Sequence, residues 1–188
     1  MKHEYLSTVD LLARLIGTKT AKRLYVGGSL TPFFKPQEGD PHYERILAAG
    51  ELVRRWMYEQ MDRGPALLNP ASVRDYLRLL FAGEEREIFT VLFLDNRHRV
   101  IAVERMFFGT IDGANVHPRE VVKRALRHNA AAVILSHNHP SGVAEPSQAD
   151  ELITRRLKEA LLLIDIRVLD HLIVGESVVE SFAERGLL

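Results

Sequence analysis

His137 and His139 stand two positions apart at the end of an apolar run, Ala130 to Leu135. Ser147 and Asp150 follow after a loop punctuated by Pro140, Gly142 and Pro146. Side chains alternate along a strand, so residues two apart share one face and their imidazoles can converge on a single ion. Asp150 falls in the first turn of a helix expected from about Gln148, where the loop can fold its carboxylate back. Two imidazoles, a carboxylate and one water make a tetrahedral zinc site with an open position, which hydrolysis requires. The water then needs a base. Glu104, set in the apolar run VIAVERMFF, is expected to fill that role, because a carboxylate among apolar neighbours is costly to bury unless paired or functional. Ser147 is expected to turn its hydroxyl toward the oxyanion formed when water attacks a carbonyl. Each residue also has a plainer reading. Ser147 and Asp150 fit an S-x-x-D capping box, the histidine pair can be incidental at a strand end, and Glu104 can be a half-exposed strand residue.

Composition removes most competing chemistries. The 188 residues include no cysteine, which excludes disulfide scaffolds, thiolate zinc sites, iron–sulfur clusters and a cysteine nucleophile, and fits a reducing cytoplasm. A zinc deaminase needs a downstream P-C-x-x-C, and a thermolysin-like site needs H-E-x-x-H. Neither string occurs. A metallo-β-lactamase-like H-x-H-x-D-H would need Asp-His where Ser141 and Gly142 stand. Acidic and basic residues number 25 each, and residues 1–63 hold 10 basic against 8 acidic, so a phosphate-neutralising surface for DNA is not supported. No apolar run approaches the ~20 residues of a membrane span, and the N-terminal MKHEYLSTVDLLARL lacks a signal-peptide core. A cytoplasmic location is expected.

The elements that must position the site follow from local pattern. Helices are expected over residues 6–16, ending at Gly17, and over Tyr43 to Met61, whose stripe of Ile46, Leu47, Leu52, Val53, Trp56 and Met57 reads as core. Between them, Gly27 to Pro41 reads as irregular. Gly64–Pro65 marks a boundary between a helical segment, 1–63, and a second domain, 64–188. In the second domain a helix is expected over Ala71 to Leu80, capped by Asn69, then a hairpin of Ile88 to Leu94 and Arg99 to Phe108 turning at Asp95–Asn96. A helix from Pro118 to about His128 ends at Asn129, before the strand Ala130 to Leu135. After the loop come a helix from Gln148 to Leu162, two strands at Ile166 to Leu169 and Leu172 to Val174, and a terminal helix near Ser177 to Glu184. The sum is an α/β arrangement with a mixed sheet. His117 and His171 are expected to be structural or to orient a ligand; His3, His42, His98 and His128 read as surface residues.

The string His137-x-His139-x7-Ser147-x2-Asp150, with Glu104 upstream, resembles the JAMM motif of MPN-domain (JAB-type) metallopeptidases. VLFLDNRHRVI, the FxGT of Phe107 to Thr110, the HPRE of His117 to Glu120, SHNHPSG and LDHLIVG together resemble the bacterial RadC family, from about Gly64 to Gly175. The resemblance implies the MPN fold, a mixed β-sheet flanked by helices and related to the cytidine-deaminase-like zinc deaminases. It implies zinc held by His137, His139 and Asp150, Glu104 as general base, and Ser147 at the oxyanion. It implies hydrolysis of a peptide or isopeptide bond in a protein or peptide substrate. The family's N-terminal helix-hairpin-helix is not matched, because Gly27–Gly28 runs into Ser29-Leu30-Thr31-Pro32 rather than a second helix. A DNA-repair accessory protein and a peptide-binding module with a non-catalytic metal are the alternative functions.

Overall fold

The computed structural model describes residues 6–25, 30, 33, 41–63, 70–109 and 115–188. The chain divides into two compact units, Met1–Trp56 and Met57–Leu188. The boundary expected at Gly64–Pro65 lies outside the described residues, as do the Asn69 cap, His3 and most of the Gly27 to Pro41 stretch.

In the first unit α1 (Thr8–Ile16) is capped by Ser7, whose hydroxyl accepts the Asp10 N–H. Gly17, at φ 84°, ends it and leads directly into α2 (Thr18–Leu24), a helix not expected from the sequence. α3 (Pro41–Arg63) covers the expected helix and extends it at both ends. Leu12, Ile16, Ala21, Phe33, Tyr43 and Ile46 form the core of this unit. Beyond Ile46 the apolar stripe of α3 leaves that cluster, so Trp56, expected inside, is 60% exposed, and Leu52 and Val53 are exposed with it.

The second unit is a three-layer arrangement around a five-stranded mixed sheet of order β2-β1-β3-β4-β5. β1 (Ile88–Leu94) and β2 (Val100–Phe108) form the expected hairpin, and β1 also pairs antiparallel with β3 (Ala132–Asn138). Asp95 shapes the hairpin turn by accepting the N–H groups of Arg97 and Arg99. β3 pairs in parallel with β4 (Arg167–Val174), and β4 pairs antiparallel with the short β5 (Val179–Ser181). α6 (Gln148–Leu162) connects the parallel pair.

The central strands β1 and β3 are buried along their whole length, so helices must cover both sheet faces. On one face α4 (Pro70–Leu80) packs Tyr76, Leu77 and Leu80 against Ile88, Leu92, Ile134 and Leu172. On the other, α5 (Pro118–Arg127) and α6 pack Val121, Ala125, Leu157 and Leu161 against Phe89, Val91, Phe93 and Leu135. Asn129 ends α5 at φ 50°, as its residue type predicts.

Three expectations are corrected. β3 continues to Asn138, so His137 lies within the strand rather than in the loop. The two strands expected after α6 are one, β4, with a register irregularity opposite Val133 and Ile134. The terminal helix is absent: Val178 is followed by β5, and the N–H of Ala183 goes to Asp170 and that of Glu184 to Ser181. Side chains thus take the donors that a helix would have used. Leu157 has no exposed surface and joins α6 to the sheet. Leu157→Ala should lower the unfolding free energy by about 2–5 kcal/mol in urea titrations, and a loss under about 1 kcal/mol would contradict this packing.

Candidate metal centre

The site forms where β3 ends, at the carboxyl edge of the parallel pair, the place where mixed and parallel sheets open a crevice. His137 Nε2 lies 2.9 Å from His139 Nε2 and 3.2 Å from Asp150 Oδ1, and His139 Nε2 lies 3.6 Å from Asp150 Oδ2. A tetrahedron with zinc–ligand bonds of about 2.05 Å has edges of about 3.3 Å, so separations of this size put both imidazole nitrogens and the carboxylate within reach of one ion. Among the described residues, His137, His139 and Asp150 form a group able to hold a metal ion. The three residues therefore fit the ion that their chemistry implies.

Each ligand is held from behind. His139 Nδ1 bonds the Val143 carbonyl at 2.7 Å; a carbonyl only accepts, so that nitrogen carries a proton and Nε2 faces inward. His137 Nδ1 lies 2.9 Å from His171 Nε2, and Phe89 stacks on the His137 ring at 6.1 Å. Asp150 is the N3 residue of α6, and Ser147 is its N-cap. Ser147 Oγ donates to Asp150 Oδ2 at 2.6 Å, and the Ser147 N–H donates to the same oxygen at 2.8 Å. The capping box and the ligand are one device: the bonds that start the helix also aim the carboxylate. In this structure the Ser147 hydroxyl is engaged with Asp150.

The loop carrying His139 is tied to the end of β4. The His139 N–H donates to Val174 O and the Glu176 N–H to Gly142 O, each at 2.9 Å. Gly142 sits at φ 82°, and a Cβ on Gly175 would lie 2.5 Å from Gly142 O. Glycine at 175 is what lets the loop close onto the strand.

The electrostatics call for a cation at the centre. The Asp150 carboxylate beside it raises His139 above the ordinary imidazole value despite burial, and the charge of Glu87 adds to the effect. Burial works to raise the Asp150 carboxyl, but the His137 and His139 rings beside it and the Ser147 hydroxyl outweigh it and hold it far below the usual carboxylate range. A proton on His139 therefore neutralises the carboxylate, in the place a metal ion would take. Complete burial, followed by the nearness of His137, pushes His171 well below 6.5 and keeps it neutral.

Glu104 is not brought to this cluster. It pairs with Val91, which pairs in turn with Leu135. Two strand spacings across and two residues along put its Cα about 12 Å from that of His137. Its carboxylate binds His128 Nε2 at 2.6 Å and Arg124 Nε at 3.3 Å, tying β2 to α5. Pairing with Arg124 and His128 accounts for this carboxylate among apolar neighbours. His128, expected at the surface, is half-buried in that pair, its ring 4.8 Å from Phe93. His117 is exposed at the N-terminus of α5 and makes no capping bond with its side chain.

Sequence reasoning passed over Glu87 and Asn138. The β1–β3 register pairs Phe89 with His137, and Glu87, just before β1, is close enough for its charge to act on His139 just after β3. Asn138, between the two histidines, points the other way. Its Oδ1 accepts the Ile88 N–H at 2.8 Å and its Nδ2 donates to Arg86 O at 3.0 Å, bracketing Glu87. The available signal was Glu87 directly before the strand IFTVLFL, with Asn inside H-x-H.

A family model, the RadC-like JAB domain, matches residues 67–187. The chain belongs to the RadC family. A UPF0758 protein of Cellvibrio japonicus is 62% identical over 183 residues, covering 97% of this chain and 82% of the relative. One from Nitrosococcus oceani is 54% identical over the same length and coverage. One from Vibrio atlanticus is 50% identical over 199 residues, covering 96% and 89%. The JAB domain and the helix-flanked mixed sheet are those of the MPN fold. Among the described residues, no helix of this RadC-family chain is long and apolar enough to cross a membrane.

Two outcomes follow for the metal-free protein. The raised His139 contributes stability fully present below its ordinary value of 6.5 and lost as pH rises through its higher folded value. The lowered Asp150 contributes stability present above its ordinary 3.8 and lost as pH falls through its folded value. Urea unfolding in EDTA should thus show wild type exceeding His139→Ala by more at about pH 6 than at about pH 9; equal gaps would refute the pairing. Asn138→Ala leaves the buried Ile88 N–H without its acceptor and should cost about 1–3 kcal/mol in the same assay, where no loss would exclude the bracket around Glu87.

Proposed function

We propose that this RadC-family chain is a zinc-dependent hydrolase that cleaves peptide or isopeptide bonds in a protein or peptide substrate. The observation that supports the reading is the cluster in which His137 Nε2 lies 2.9 Å from His139 Nε2 and 3.2 Å from Asp150 Oδ1, and His139 Nε2 lies 3.6 Å from Asp150 Oδ2. Three protein ligands would leave a fourth position for water or substrate, as catalytic zinc sites do. A zinc ion held there would supply Lewis acidity, acidifying a water and polarising the scissile carbonyl.

The chain's own residues do the rest. Glu87, whose charge acts on His139 from just before β1, is the general base that takes the proton of the attacking water and returns it to the leaving amine. It takes the role first expected of Glu104, whose oxygens are occupied by Arg124 and His128. Ser147 Oγ turns from Asp150 Oδ2 to the developing oxyanion, while the Ser147 N–H stays on Oδ2 and keeps the ligand aimed. Phe89 and the buried strand ends keep bulk water from the inner side, which strengthens these interactions.

Metal analysis by inductively coupled plasma mass spectrometry of the tag-free protein should find about one zinc per chain, lost in His139→Ala and Asp150→Ala. Against a peptide and isopeptide library, Glu87→Gln should keep its zinc and lose about 10²–10⁴-fold in turnover, while Glu104→Gln keeps turnover. No zinc after reconstitution, or full turnover in Glu87→Gln, would overturn the reading. Tight peptide binding without cleavage by the zinc-loaded protein would replace it with a binding module.

A further inference from the structure

His171 has no exposed surface and is not one of the three grouped ligands, yet it touches one of them. Its ring lies between Phe89, edge-on at 5.6 Å, and Phe182, stacked at 4.8 Å. Its Nδ1 lies 2.6 Å from Thr154 Oγ1, and its Nε2 lies 2.9 Å from His137 Nδ1. Thr154, one turn after Asp150 on α6, also bonds the Asp150 carbonyl through its hydroxyl.

We propose that His171, directed by Thr154, is a positioning residue that fixes which nitrogen of His137 carries the proton, and so keeps Nε2 of His137 free for a metal. The inference rests on reading His137 as a metal ligand. It follows from the number of protons available. A threonine hydroxyl has one proton, and a backbone carbonyl can only accept. If that proton pointed at His171, the Thr154 and Asp150 oxygens would face each other with nothing between them. The hydroxyl therefore donates to Asp150 O and accepts from His171 Nδ1–H. An imidazole sealed among aromatic rings is neutral and carries a single proton, so its Nε2 is an acceptor. The proton between the two histidines then belongs to His137 Nδ1, and His137 Nε2 presents a lone pair to His139 and Asp150.

The contacts close a ring: Asp150 carbonyl, Thr154 hydroxyl, His171, His137, and back to the Asp150 carboxylate. One helix hydroxyl thereby orients both a strand ligand and the helix ligand. Backbone bonding of this kind is common for threonine in helices, but here the oxygen's second contact is used. The Asp170 carboxylate accepts the His171 N–H at 2.7 Å and the Ser181 hydroxyl at 2.6 Å, and the Phe182 N–H bonds His171 O at 3.0 Å. These hold the ring and its Phe182 wall in place.

The test uses the full chain, stripped of metal and labelled with ¹⁵N-histidine. Long-range proton–nitrogen spectra should show His137 protonated at Nδ1 in wild type and in Thr154→Ser. Thr154→Val, which has the same shape without the hydroxyl, should lose the single tautomer. Zinc competition against a chromophoric chelator should show binding weakened about 10–100-fold in Thr154→Val and restored in Thr154→Ser. A wild-type His137 protonated at Nε2 would overturn the proposal, as would a Thr154→Val protein unchanged in both tautomer and zinc affinity. The spectra are taken without metal, so they decide the tautomer even if wild type binds no zinc and the hydrolase reading falls. If Thr154→Val fails to fold, as thermal melts would reveal, wild type and Thr154→Ser still decide it.

Discussion

Two imidazole nitrogens and a carboxylate held within 2.9–3.6 Å of one another, with two of the residues buried, require a positive charge between them. Without it, lone pairs face a carboxylate in a low-dielectric pocket, an arrangement that burial heavily penalises. The rest of the second unit serves to keep that arrangement from relaxing. His137 is locked into the sheet between β1 and β4, His139 is tied to the β4 end, and Asp150 is locked at the N-terminus of α6. A flexible chain would separate the three. A sheet with helices on both faces cannot do so without breaking its core.

Rigidity at the centre depends on polar groups that look, residue by residue, like structural detail. The Asn138 carboxamide replaces the ladder bonds lost where β1 begins, so the strand can end without leaving buried donors unpaired. Asp170 does the same for the C-terminal turn, and Ser136 Oγ bonds Leu172 O inside the parallel pair. Each bond is worth only about 1 kcal/mol net, but leaving its buried partner unmet costs more. Satisfaction, not strength, is what fixes the geometry.

The edge strand β2 shows the same economy. Glu104 and Arg105 are adjacent, so they point to opposite faces, and each is held by a helix or the turn after it. Glu104 meets Arg124 and His128, while Arg105 binds Leu80 O at the end of α4 and Glu84. Charges in the middle of an edge strand discourage pairing with another chain and here also fasten both helical layers to the sheet. A carboxylate in an apolar run thus has a structural explanation that its local sequence does not reveal.

What the sequence alone determined was whatever rests on local rules. Alternation along a strand put His137 and His139 on one face, S-x-x-D started α6 with Asp150 aimed inward, and Asp95–Asn96 closed the β1–β2 hairpin. Glycine, proline and asparagine punctuation located α1, α4, α5 and α6 to within a few residues. What only the tertiary structure decided depends on register and on which surfaces meet. The charge of Glu87 rather than Glu104 reaches His139 because β1, which Glu87 directly precedes, pairs with β3 at Phe89 and His137, a choice made between segments about 50 residues apart. His171 reaches His137 because β4 lies parallel to β3, and Trp56 is exposed because its helix outruns the cluster it packs on. Local preference is set by neighbours in the chain. The partners of a side chain across a sheet are set only when the whole core closes.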